Sequence, residues 1–198
     1  MIVQEPLQQQ EEMTEPVAKA PKTDHPPFDT FPGPIRKSDV DRCQYRLITL
    51  PNCLQCLLIH EAGLEKASAA LDVHVGSFAD PADTPGMAHF LEHLLFMGTA
   101  KYPRENDYME YLAAHGGSSN AFTADEHTNY FFEVSAEHFE GALDRFAQFF
   151  VEPLFAEDGT ERELKAVDSE HKKNVKDDMW RLHQIERTLA APDHPYCK

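Results

Sequence analysis

Apolar and polar positions follow several distinct rhythms along this chain, and each predicts a different element. In "YRLITLPN", "CLLIHE" and "AALDVHVGSF", β-branched, aromatic and aliphatic residues gather in short runs, with a Pro-Asn turn between the first two, which predicts three successive strands. The stretch "NAFTADEHTNYFFEVS" predicts two more strands joined by a turn. In "AEHFEGALDRFAQFFVEPLF" the period changes: Phe139, Ala142, Leu143, Phe146 and Phe150 recur at helical spacing and predict an amphipathic helix. From about Thr160 to Leu189, Leu164, Val167, Val175, Met179 and Leu182 form one apolar side and predict a single long helix. Residues 1–27 are rich in Gln, Glu and Pro without a sustained period, and this predicts a tail unable to offset the entropy of ordering.

One segment departs from these rhythms. "TPGMAHFLEHLLFMGT", Thr84 to Thr99, is apolar nearly all round. Asp83 offers a cap, Pro85 a first-turn proline and Gly98 a stop, so the segment predicts a helix buried on most sides and packed on a sheet. The elements together predict an α+β fold over residues 28–198, an antiparallel-dominated sheet with helices on one face and no internal repeat.

Composition narrows the partners. A chain of 198 residues with 41% hydrophobic content has room for one sizeable core. Its 18 basic against 34 acidic residues, a formal charge of −16, argue against a nucleic-acid partner and favour neutral or basic peptides. No leader pattern and no run of ~18 apolar residues is present, so no export and no membrane span are expected. Cys43, Cys53, Cys56 and Cys197 form no dense framework and no N-x-S/T acceptor occurs, which points to the reducing cytoplasm. Cys53-Leu-Gln-Cys56 lacks a second pair, so these two are expected to be buried or half-buried thiols of a strand and not a zinc knuckle.

Chemistry enters through the polar residues inside the apolar helix. Burying His89, Glu92 and His93 costs free energy unless a partner satisfies them. Offsets of three and four set all three within one arc, with the imidazoles about one turn apart, so the pair can grip a single metal ion. Zinc would satisfy both imidazoles and leave the carboxylate to act on a water, but a catalytic site needs a third ligand and an open position. The downstream "ERELKAVDSEHKKNVKDD" offers Glu163 and Glu170, two turns apart on a face with Val167 and Asn174. His171 is a rival ligand pointing about 100° away, and as a fourth ligand it would make the site structural.

At this point the residues reach a family. H-x-x-E-H followed 81 positions after His89 by Glu170 in "AVDSEH" resembles the inverzincin zinc metalloproteases of the pitrilysin family. So do "YPRENDY", "HGGSSNAFTADEHTNYFFEV" and "GALDRFAQFFVEPLF", and the likeness runs from about Phe31 to the end. The resemblance implies His89, His93 and Glu170 as ligands of one zinc, Glu92 as general base, and Glu163 as a supporting catalytic carboxylate. It also implies a strand edge at Asn120, Ala121 and Phe122, onto which a substrate peptide adds as an extra strand. Read from its residues alone, Gly116-Gly117-Ser118-Ser119 predicts only a loop. Members of the family are much longer, with a second homologous half, so the chain is expected to match an N-terminal peptidase domain incomplete at its C-terminus. The missing half or a homologous subunit is then an expected partner. The family also contains non-catalytic peptide-binding or assembly subunits, which usually lose part of the motif.

Overall fold

The computed structural model of the protein describes residues 28–197; the tail expected over 1–27 lies outside the described residues. The chain divides into two compact units, Met1–Ala62 and Gly63–Lys198.

In the first unit, strands β1 (Asp29–Thr30), β2 (Gln44–Thr49) and β3 (Gln55–His60) form an antiparallel sheet in that order. The β2–β3 hairpin closes at Pro51-Asn52, as the turn signal indicates: Leu50 N–H donates to Leu54 O at 2.9 Å, and Asn52 Oδ1 accepts from Leu54 N–H at 3.2 Å. Cys53 takes the left-handed conformation there, φ 67°, and is exposed, which corrects the expectation of a buried or half-buried thiol. Cys56, on β3, is half-buried as expected.

The second unit opens with β4 (Lys66–Val73), so the three successive strands divide between two sheets and do not share one. Its sheet adds β5 (Ser118–Thr123) and β6 (Thr128–Ser135) in the order β4-β6-β5, antiparallel throughout, with Thr123 opposite Thr128 at the hairpin. Along β6 alternate residues Thr128, Tyr130, Phe132 and Val134 are buried, the signature of a strand with one face on the core. Against that face pack α1 (Met87–Leu95), α2 (Asp107–Ala114) and α3 (Phe139–Gln148), which contribute Leu95, Tyr108, Leu112, Ala142 and Phe146 to the core.

Three helix expectations need correction. Helix α1 starts later than Pro85: Gly86, at φ 90°, is its N-cap, and the capping carboxylate belongs to Asp80 and not Asp83. It is also less enclosed than its composition implies, with Met87 and Leu91 each 45% exposed. The long C-terminal helix is two, α4 (Glu157–Asn174) and α5 (Asp178–Thr188), because Asp177 starts a new helix by accepting from Met179 N–H at 2.8 Å. Helix α2 lies in a segment the apolar rhythm passes over as polar.

Candidate metal centre

The centre is built by α1, α4 and β5. Asp80 is 7% exposed, and its carboxylate accepts from Gly86 N–H at 2.7 Å and Ala88 N–H at 2.9 Å, placing a negative charge at the positive end of the α1 dipole. One turn further, His89 and His93 lie edge to face with their Nε2 atoms 3.2 Å apart. Glu170 Oε2 of α4 is 3.7 Å from His89 Nε2 and 3.9 Å from His93 Nε2. Zinc–nitrogen bonds of ~2.0–2.1 Å in tetrahedral array separate two ligand atoms by about 3.3 Å, so the imidazole pair has the spacing of a shared ion and the carboxylate lies a few tenths of an ångström outside it. Among the described residues this trio is the one His/Cys/Asp/Glu group able to hold a metal, with its ligand atoms all within 4.8 Å.

Glu163 meets His93 from the other side, Oε2 to Nδ1 at 2.9 Å. In the Nδ1–H tautomer His93 donates to Glu163 through this contact and has the lone pair of Nε2 left for a metal. The α4 face is the one its spacing predicts: Glu163, Val167, Glu170 and Asn174 are half-buried. His171 is exposed and outside the cluster.

Glu92 is on the same helix, 7% exposed, and accepts a hydrogen bond from Thr123 Oγ1 at 2.6 Å. Burial first, and then the Glu92 charge, push the buried Tyr130 hydroxyl up to about 12, so it stays protonated near neutral pH. Asn120, Ala121 and Phe122 precede Thr123 on β5; β6 occupies one edge of that strand, and among the described residues no strand pairs with the other. Ser118 to Ser119 begin this strand, so the loop expected from the glycine-serine run gives way to strand at its second half.

Two participants escape sequence reasoning. Asp80 reaches α1 across a turn, with no local cap pattern to mark it. Thr123 has a faint signal, since period-two alternation sets it on the same β5 face as Ser119, whose hydroxyl bonds Tyr108 of α2.

Within an α+β domain, one helix thus offers two imidazoles and a carboxylate beside a strand edge, and a second helix supplies one more oxygen donor. The model of the Insulinase (Peptidase family M16) family matches residues 55–193, and the chain belongs to that family. It is 54% identical over 177 residues to Homo sapiens insulin-degrading enzyme, covering 89% of this chain and 17% of that protein. To the A-factor-processing enzyme of Saccharomyces cerevisiae it is 54% identical over 171 residues, 86% of this chain and 17% of that protein. The crystal structure of pitrilysin matches with a TM-score of 0.80 and 40% identity, over 86% of this chain and 18% of that one. The chain thus spans about a sixth of the length of the curated relatives it matches.

Proposed function

We propose that this site is a zinc-dependent endopeptidase centre acting on short peptides held along β5. The observation that carries the reading is the pair of Nε2 atoms 3.2 Å apart with a carboxylate oxygen at 3.7 and 3.9 Å from them. That donor set of two nitrogens and one oxygen suits zinc and leaves a fourth position open. Bound there, zinc supplies water acidity near neutral pH and polarisation of a carbonyl oxygen. His89, His93 and Glu170 would hold it, and Glu163 would keep His93 in the ligating tautomer. The Glu92 carboxylate takes a proton from the attacking water and returns it to the leaving amine. Asn120, Ala121 and Phe122 present backbone groups to an extended peptide, a mode that tolerates many sequences. Two relatives are named for acting on insulin and on A-factor, and the proposed substrates are short peptides without one being chosen. The cytoplasm is the proposed location; among the described residues no helix is long and apolar enough to cross a membrane.

The second reading is a domain that holds peptides without cleaving them, favoured by the β5 edge, which can pair with a strand whatever the chemistry nearby. Zinc content and cleavage of an unstructured fluorogenic peptide separate the two. Replacing Glu92 with Gln is expected to keep zinc and abolish hydrolysis, because an amide cannot accept the proton. Peptide binding by the zinc-loaded chain with no cleavage, identical in the Glu92→Gln variant, favours the second reading. Failure to bind zinc ends the first.

A further inference from the structure

The Glu92 side chain of α1 is buried, and a carboxylate left to rotate would sample several rotamers. One hydroxyl stops it: Thr123 Oγ1 donates to Glu92 Oε2 at 2.6 Å, at the short end of the range for O–H···O hydrogen bonds. The donor is itself held in place. Thr123 pairs with Thr128 across the hairpin, and Thr128 Oγ1 is anchored on Val75 O at 2.8 Å. The turn beyond it is closed by Ala124 N–H donating to His127 O at 2.8 Å, and is tied outward by Ser77 N–H donating to Ala124 O at 2.9 Å and Phe78 N–H to Asp125 O at 2.8 Å. Gly76 permits this last approach, since a Cβ there would lie 2.3 Å from Ala124 O.

From this geometry we infer that Thr123 is a positioning residue: its hydroxyl locks the base to the end of β5, so that the strand edge and the carboxylate keep one fixed relation. The inference rests on the zinc-peptidase reading and deepens it, because a peptide paired with β5 would then meet Glu92 in a set register. With Oε2 engaged, Oε1 is the oxygen that receives the proton. Ser119 and Ala121, on the same β5 face, make no such bond to Glu92. The linkage is therefore particular to the last residue of the strand.

A hydroxamate reports the position of Glu92 without turnover, since it ligates zinc through two oxygens and passes its acidic proton to the neighbouring carboxylate. Thr123→Val preserves shape and β-branching and removes only the hydroxyl, so the strand is expected to survive, with circular dichroism as the check. Acetohydroxamate binding to the zinc-loaded chain should weaken by about 10-fold in Thr123→Val, zinc content should be unchanged, and Thr123→Ser should return to within about 3-fold. In a Glu92→Gln background the added Thr123→Val should have no further effect. Unaltered affinity in Thr123→Val overturns the inference, as does a loss of equal size in the Glu92→Gln background. If the unmodified chain binds no zinc, or binds it without capturing hydroxamate, the reading of the centre falls, a result distinguishable from either.

Discussion

At the scale of single residues, the site illustrates what helical periodicity can and cannot reveal. His89, Glu92 and His93 are recognisable because an α-helix of known period converts their spacing into one arc; the same rule sets Glu163 and Glu170 on one face, but only the family resemblance prefers them to His171. Asp80 and Thr123 stay hidden because each acts through a hydrogen bond between elements, where spacing in the chain carries no information. The contact between Glu163 and His93 gives a test of how far the outer carboxylate matters. Replacing Glu163 with Ala should lower zinc affinity by about 10- to 100-fold in chelator competition, because Nδ1 loses the acceptor that sets its tautomer. Glu163→Gln should lose less, since an amide oxygen still accepts from Nδ1–H. Replacing Glu170 with Gln removes a charged ligand and should exceed both losses; affinity unchanged by that substitution would return His171 to candidacy.

At the scale of elements, the helices that the apolar pattern does not give have two different causes. Apolar residues continue at helical spacing through Val175, Met179 and Leu182, so periodicity alone runs α4 into α5, while the break is set by one side chain. Asp177→Ala should therefore cost about 1 kcal/mol of α5 stability, visible as faster amide exchange in Asp178–Thr188 with α4 unaffected; equal acceleration in both would mean the cap is not what separates them. Helix α2 has no strong apolar period of its own, and partners distant in the chain hold it. Asp107 in its first turn accepts from Arg145 Nε of α3 at 2.7 Å, and the Arg145 guanidinium lies 4.1 Å from the centre of the Tyr111 ring. That hydrogen bond holds the Asp107 carboxyl below the usual carboxylate range, with Arg104 adding to the effect. A depressed native pKa contributes stability that is present above the unfolded value near 4 and is lost as pH falls through the native one. Both side chains are largely but not wholly covered, 18% and 19% exposed, so Asp107→Asn should cost about 1–2 kcal/mol at pH 7. The difference from the unmodified chain should shrink below pH 4 in urea titrations; a constant difference across that range would refute the ionic account.

At the scale of the whole molecule, the fold class is legible because alternation is strong over β6 and helical period over α3, but the division into two units is not, since nothing in the pattern of β2 and β3 marks them off from β4. Burial is very uneven between the units. Of the buried hydrophobic residues described, Ile48 alone belongs to the first unit, while the aromatic cluster of Tyr108, Tyr130, Phe132, Phe146 and Phe149 belongs to the second. The second unit also carries every residue described for the candidate centre: Asp80, His89, Glu92, His93, Thr123, Glu163 and Glu170. A ligand that binds only the folded state adds RT ln(1 + [L]/Kd), about 2.7 kcal/mol at a hundredfold excess over Kd, and adds it to the opening of those elements that must be folded to bind. Zinc should therefore raise amide protection selectively. The β6 amides and those of α1 and α4 should slow by about 100-fold at that zinc concentration, while the β2 and β3 amides keep their apo rates, and Glu170→Gln should abolish the response. Equal slowing in both units would show that they open as one cooperative domain over 28–198, and no slowing in α4 would show that its carboxylate does not complete the site.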